Sequence, residues 1–154
     1  MPSQQVRFQQ VFPAPQADVF GYFADHENVG RIWAGRARRI KEGQDPAEPN
    51  GLGSVRAVAG TGPTFEETIL VFERPRRIEY AISRGSPFRN HRGVIVFDEA
   101  AGGTKVEYAI AFDPKIPLTG GLFARWLAFT WKRGAKRAAA DISTAAGGGG
   151  FSGP

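Results

Sequence analysis

The sequence predicts an α+β protein in which an antiparallel sheet curls around one long C-terminal helix. Three observations lead to this fold class. A strand-like segment and two short helical segments come first, period-two segments separated by turn residues follow from Gly51, and the longest helical segment comes last. A strongly twisted sheet on a single helix leaves a space between them where a small ligand fits.

The first elements are predicted from the prolines that end regular structure and from the periodicity of apolar residues. Residues 6–12 form a strand candidate, which the prolines at 13 and 15 end. A helix is predicted from Pro15 to about residues 24–26, a second short helix or a turn over 28–33, and a strand over 37–42.

Four or five further strands are predicted between Gly51 and Pro114, because apolar and polar residues alternate there between Gly- and Pro-containing turns. Their predicted ranges are 52–59, 64–72, 77–84, 91–97 and 104–112.

The last helix is predicted over 119–143. Its first half is apolar on nearly all sides, which is typical of a helix that is buried on several sides or borders a cavity. These apolar residues are Leu118, Leu122, Phe123, Trp126, Leu127, Phe129 and Trp131. We expect a single domain over 1–144 and a flexible Gly-rich tail over 145–154.

Composition excludes several classes of protein. The 154 residues include no cysteine, which excludes disulfides, thiolate nucleophiles and cysteine-based metal sites. With 42% hydrophobic residues the chain can bury a substantial core. No basic start precedes an apolar run, and no stretch reaches the roughly 18 apolar residues of a membrane span, so we expect a cytoplasmic protein.

The net charge of +5 comes from the last helix region, where six cations between Lys115 and Arg137 stand against Asp141. Such a cluster is compatible with nucleic acid or an anionic membrane. We favour a solvated helix end whose cations complement the helix dipole. We do not expect a nucleic-acid partner, and we retain the membrane surface as an alternative.

The standard nucleotide-binding, esterase and zinc-protease motifs are absent, and the two histidines, His26 and His91, lack a metal-ligand pattern. We therefore predict neither a metal nor a cofactor. His91 heads a predicted strand and lies at a pocket mouth or simply at a strand end.

Glu66 and Glu67 point to opposite faces of a strand and cannot share one site. Glu67, with Phe65, Ile69 and Val71, is either an inward acid/base candidate or a surface residue. In the neighbouring segments Tyr80 and Tyr108 are placed on inward faces, where buried phenols need hydrogen-bond partners.

Several segments resemble polyketide cyclase/dehydrase-like (SRPBCC) proteins of the START and birch-pollen-allergen superfamily. The first is Ala14-Pro15 with Val19-Phe20-x-Tyr22-Phe23-x-Asp25-x-x-Asn28. The others are residues 67–75 followed by Arg77-Ile78-Glu79-Tyr80, then Gly93-Val94-Ile95-Val96-Phe97, then residues 102–108. The likeness covers about residues 5–143 and rests mainly on the order of elements.

This resemblance implies a helix-grip fold, a seven-stranded antiparallel sheet around the C-terminal helix with an internal apolar cavity. Members bind lipids, polyketides, quinones and similar molecules, and some are cyclases or dehydratases.

Our leading hypothesis is a monomer or homodimer that binds a hydrophobic small molecule. The predicted cavity lining is Trp33, Tyr80, Phe97, Tyr108, Phe123, Trp126 and Thr130. The alternatives are a cyclase- or dehydratase-like lyase or isomerase that uses Glu67 or His91 as acid/base, and a basic adaptor that binds a membrane surface or RNA through residues 132–137.

Overall fold

The computed structural model describes residues 2–60, 62–86 and 88–148. Within these ranges the chain forms seven strands and three helices. They are β1 (Gln4–Phe12), α1 (Gln16–Ala24), α2 (His26–Ile32), β2 (Arg36–Lys41), β3 (Val55–Ala59), β4 (Phe65–Glu73), β5 (Arg77–Arg84), β6 (Phe88–Ala100), β7 (Gly103–Pro114) and α3 (Gly120–Gly148).

All seven strands belong to one antiparallel sheet in the order β1-β7-β6-β5-β4-β3-β2. The strands β1 and β2 form the two edges of the sheet, and the chain crosses from one edge to the other through α1 and α2. The other five strands follow one another as hairpins. The curled sheet and long C-terminal helix confirm the predicted helix-grip architecture. None of the helices in the described ranges is long and apolar enough to cross a lipid bilayer.

The two short helices differ from prediction at their junction. Pro15, predicted as the first helical residue, is extended and precedes α1, which begins at Gln16. Asp25 then accepts a hydrogen bond from the Glu27 backbone N–H at 2.9 Å and so caps α2, which begins at His26, two residues before the predicted start. The short break lets α1 and α2 both bury apolar residues against the core.

The β6–β7 hairpin is longer than predicted. Asp98 and Glu99, expected in a turn, pair with Lys105 and Thr104 instead, so the connection shrinks to residues 101–102. These acidic residues lie at the exposed end of the hairpin, where polar side chains are compatible with a strand.

A register shift on β4 changes which residues face the core. The alternation predicted for Phe65, Glu67, Ile69 and Val71 is interrupted between Ile69 and Val71. Consequently Phe72, rather than Val71, packs against the core, with its ring centroid 5.2 Å from that of Phe20.

The helix α3 extends beyond the predicted end at residue 143 to Gly148, so that residues 145–148 of the predicted flexible tail are helical. Residues 149–154 of the predicted tail lie outside the described residues. One face of α3 packs on the core through Leu127, Trp131, Ala135, Ala138 and Ile142. At Gly134 the helix passes so close to α2 that a Cβ atom would overlap the Ile32 carbonyl oxygen.

Candidate functional site

A buried ion pair joins the neighbouring strands β3 and β4. Arg56 and Glu67 are partners in the strand register, and their side chains point to the same, inward face of the sheet. The Arg56 Nε atom lies 2.7 Å from a Glu67 carboxylate oxygen, and the two residues are only 2% and 7% exposed. Of the two predicted orientations of Glu67, the structure therefore shows the inward one.

Two tyrosines extend this pair toward β7. The Arg56 guanidinium lies over the Tyr80 ring, 4.7 Å from its centroid. The Tyr80 and Tyr108 hydroxyl groups are hydrogen-bonded to each other, which provides the partners that buried phenols need. Burial raises the pKa of Tyr108 to about 12 and that of Tyr80 well above its ordinary value, so both phenols are neutral near pH 7.

His91 lies beside Tyr80 on β6, with 5.6 Å between the ring centroids. Its Nδ1 atom accepts a hydrogen bond from the Ile82 backbone N–H at 3.2 Å, so the neutral ring carries its proton on Nε2. Burial lowers the pKa of His91 and the positive Arg56 contributes to this, against the opposing charge of Glu67. We call Arg56, Glu67, Tyr80, Tyr108 and His91 the polar cluster.

A second histidine supports Arg56 from the side of α2. His26 Nδ1 lies 3.4 Å from an Arg56 guanidinium nitrogen, which can only donate, so His26 Nε2 carries the proton toward Ser54 Oγ at 3.2 Å. Burial first, and then the charges of Arg56 and Arg39, lower the pKa of His26 to about 3. His26 is therefore a neutral acceptor that orients Arg56.

Gly93 makes room for Tyr80. It is the β6 partner of Tyr80 in the sheet register. A Cβ atom at this position would overlap the Tyr80 ring, so the tyrosine can lie flat across the strand only because residue 93 is glycine.

Aromatic rings pack between the polar cluster and α3. Trp131 of α3 lies 5.5 Å from Tyr108, 6.0 Å from Trp33 and 5.2 Å from Phe8, measured between ring centroids. Trp33 also meets Tyr108 edge-on at 5.6 Å. The region between sheet and helix is thus filled by large aromatic rings, with one polar wall formed by the cluster.

The predicted lining residues divide into three groups. Tyr80 and Tyr108 belong to the polar cluster, and Trp33 contacts Tyr108 at its edge. Phe97 packs instead under α1, 5.1 Å from Phe20. Thr130 is buried on α3.

The third group lies near the start of α3. Phe123 contacts Phe88 and Phe112 at 4.2 and 5.1 Å. Trp126 stacks on the outer side of Phe123 and is 42% exposed.

Sequence reasoning missed Arg56, His26 and Ser54 as members of the site. A signal for Arg56 was present, since it is the only charged residue in the predicted strand 52–59 and a hairpin places it near Glu67. Nothing comparable marks His26, which reaches Arg56 only through the packing of α2.

In the described part of the chain, no three His, Asp or Glu side chains come together as potential metal ligands. A separate open cleft of about 570 Å³ lies between α2 and the β2–β3 edge. Its lining combines charged side chains such as Glu27 and Arg36 with small residues such as Ala37 and Ala57. We take the interior with the polar cluster as the candidate site, because the sequence-predicted Glu67, Tyr80, Tyr108 and His91 come together there.

The fold and this site define a helix-grip protein with an aromatic interior and one polar wall. Residues 3–147 match the family described as polyketide cyclase/dehydrase and lipid transport, and the chain belongs to this family. A search among curated proteins finds no match to the sequence.

Solved structures agree on the fold. A START superfamily protein from Mycobacterium smegmatis superposes with a TM-score of 0.73 at 11% identity, over 91% of this chain and 97% of that chain. A protein from Thermus thermophilus superposes with a TM-score of 0.70 at 17% identity, over 93% of this chain and 99% of that chain. The structure of Ara h 8.0201 superposes with a TM-score of 0.66 at 15% identity, over 92% of this chain and 98% of that chain. Family and fold are consistent with hydrophobic ligand binding in a START-like scaffold.

Proposed function

We propose that the protein binds a hydrophobic small molecule between the sheet and α3, with an oxygen-bearing end of the ligand at the polar cluster. A lipid, a polyketide, a quinone or a similar aromatic molecule fits this description. The observation that supports the proposal is the Arg56–Glu67 pair inside an aromatic interior. Apolar residues at such positions are often at least as stabilising as a buried ion pair, so a role in ligand orientation explains its presence.

The polar wall offers two kinds of contact to a ligand. The Tyr108 and Tyr80 hydroxyls can donate to a carbonyl or carboxylate oxygen once they exchange their mutual hydrogen bond for one to the ligand. His91 presents an N–H donor on Nε2. The apolar rings of Trp33 and Trp131 supply the larger part of the contact area.

Binding requires movement of the aromatic side chains, because Trp131 contacts Trp33, Tyr108 and Phe8 across the interior. We infer that the ligand enters by displacing Trp33 and Trp131 from one another. Phe97, Phe123 and Thr130 remain predicted lining residues that the rearranged interior would have to reach. Trp126 faces outward from α3 and would border the interior only through its contact with Phe123.

Native mass spectrometry of the protein purified from its own host, followed by extraction, tests this proposal. We expect a stoichiometric apolar passenger. An affinity measurement with 1-anilinonaphthalene-8-sulfonate as the probe complements it, and the passenger should displace this probe. A protein that carries no passenger and does not bind the probe would contradict the proposal.

Two matched variants locate the site. Tyr108→Phe removes a phenol hydroxyl inside the polar cluster, whereas Tyr22→Phe removes one that donates to Asp141 at 2.8 Å, away from the cluster. We expect Tyr108→Phe to weaken passenger affinity by roughly tenfold and Tyr22→Phe to leave it unchanged, since a lost hydrogen bond to a neutral group is worth about 1 kcal/mol or more. If both variants changed the passenger affinity equally, the polar cluster would not be part of the binding site.

The inward orientation of Glu67 supports a second candidate, an enzyme of cyclase or dehydratase type. As the carboxylate of an ion pair, Glu67 would take a proton from a carbon next to a ligand carbonyl, while the Tyr108 hydroxyl donates to the developing oxyanion. Incubation of the extracted passenger with wild-type protein and with Glu67→Gln tests this. Product formed only by the wild type supports catalysis, and an unchanged passenger supports a carrier.

A further inference from the structure

One face of α3 and the loop before it carries exposed apolar side chains that no part of the described chain covers. These residues are Ile116, Leu118, Leu122, Trp126 and Phe129, with exposures from 42% for Trp126 to 101% for Leu118. We call them the apolar face. Single exposed apolar residues are ordinary, but several large ones on one helix and the loop before it indicate an interaction surface.

The helical geometry brings three of these residues into one row. Leu122, Trp126 and Phe129 are spaced by four and three residues and therefore point the same way from α3. The opposite side of the helix is buried, for example at Leu127 and Trp131. The apolar face is therefore a second hydrophobic stripe, directed away from the core.

Cations border this stripe. Arg125, Lys132 and Lys136 are exposed and flank one side of it, and Arg133 continues the row with its guanidinium 5.4 Å from the Phe129 ring centroid. No acidic residue occurs from 115 to 140. Within the described residues the ion pairs involve other arginines and lysines, so the charges of these four remain available to a partner.

An apolar stripe with basic flanks is the pattern of a helix that lies in the interface of an anionic membrane. Trp, Phe and Leu side chains enter the headgroup and acyl boundary, while Lys and Arg attract the negative lipid headgroups. A second copy of the chain fits less well, because a two-fold interface would bring the two sets of cations together. Nucleic acid would engage the cations but not the aliphatic Ile116, Leu118 and Leu122.

We propose that the protein docks on anionic phospholipid membranes through the apolar face and its flanking cations. Membrane docking through this face does not depend on ligand binding in the interior. The two surfaces are neighbours, since Phe123 stacks on Trp126 outside and contacts Phe112 inside. An apolar ligand would thus have a short path between the membrane and the interior.

Co-sedimentation with vesicles tests the proposal on the full-length protein. We expect binding to vesicles of equimolar phosphatidylglycerol and phosphatidylcholine, little binding to phosphatidylcholine alone, and release by high salt because surface charges are screened. Tryptophan emission should shift to shorter wavelength as Trp126 leaves water. Absence of binding to the anionic vesicles at low salt would overturn the proposal.

Matched variants separate the two contributions. Leu122→Ser with Phe129→Ser should weaken vesicle binding by more than about tenfold, since buried apolar area drives insertion. Neutralisation of Arg125, Lys132 and Lys136 to Gln should weaken it by roughly a hundredfold at low salt. The controls are Leu52→Ser and Arg38→Gln, exposed residues outside this face, which should bind like wild type.

The same variants distinguish membrane docking from binding of another partner to the apolar face. All the changed side chains are exposed, so the thermal unfolding midpoint should stay that of wild type, and binding of 1-anilinonaphthalene-8-sulfonate in the interior should persist. Concentration-dependent dimerisation that Leu122→Ser abolishes, without vesicle binding, would assign the face to a second copy. Tight binding of a single-stranded oligouridylate without vesicle binding would assign it to nucleic acid. Either result would overturn the proposal.

Discussion

Arg56 and Glu67 stand opposite each other on adjacent strands and form an ion pair of 2.7 Å inside the protein. Both side chains leave water on folding, and each then depends on the other for its electrostatic partner. The guanidinium also lies over the Tyr80 ring and within reach of His26. One pair thus connects α2, the sheet and the aromatic interior.

Removal of one member of this pair should be costly, because the other charge stays buried. Glu67→Leu or Arg56→Met should lower the free energy of unfolding by about 3–5 kcal/mol. The double variant with Glu67→Leu and Arg56→Met should recover most of this loss while ligand binding stays impaired. Urea unfolding of the three variants checks the prediction, and additive losses in the double variant would contradict it.

Substitution of Gly93 should displace Tyr80. A Cβ atom there overlaps the tyrosine ring, so Gly93→Ala should cost about 1–3 kcal/mol of stability. In a Tyr80→Ala background the same change should cost much less. Gly21→Ala, where a Cβ atom meets nothing within 4 Å, is the control for a glycine without a close neighbour. Thermal unfolding midpoints of these variants are the measurement.

Stability should fall on mild acidification because of His26. Its pKa is about 3 in the folded protein against 6.5 as the ordinary value, so the unfolded chain binds a proton between these pH values that the folded protein does not. The full stability is present above pH 6.5. It decreases as the pH falls toward 3, by on the order of a few kcal/mol. The lowered pKa of His91 acts in the same direction.

Urea unfolding from about pH 7 to about pH 5, above the ordinary range of carboxylates, isolates the histidines. His26→Asn keeps an acceptor near Arg56 and should flatten the dependence of the unfolding free energy on pH. An unchanged slope in this variant would show that His26 does not carry the effect.

The crossing of α2 and α3 should depend on Gly134. Gly134→Ala would push the helix away from the Ile32 carbonyl oxygen and move Trp131 with it, at a cost of about 1–3 kcal/mol. Gly121→Ala lies on the same helix with open space around it and should be neutral or stabilising by up to about 1 kcal/mol. Chemical denaturation of both variants, with tryptophan emission as the probe, provides the comparison. Equal stability of the two would refute the close-packing argument.

Much of the fold followed from local patterns. Alternation placed Tyr80 and Tyr108 on inward faces, and both are buried. The proline signal separated β1 from α1, and the predicted 77–84 coincides with β5. Patterns of this kind are reliable because side chains on a strand alternate between water and core.

Other features required knowledge of neighbouring strands and helices. The register shift after Ile69 replaced Val71 by Phe72 on the core face, since a bulge reverses the alternation that sequence alone extends. Trp126 shares the apolar stretch of α3 with Trp131, yet one is exposed and the other buried. A helix that is apolar on all sides does not indicate which side meets the sheet.

The sequence by itself determined the class of fold, the order of its elements and the inward position of the two tyrosines, because these depend on periodicity and on local breakers. Only the tertiary structure decided that Glu67 pairs with Arg56, that His26 reaches this pair and that Leu122, Trp126 and Phe129 face outward. The physical reason is that ion pairs and packing faces are relations between segments distant along the chain, and strand register and helix rotation bring those segments together.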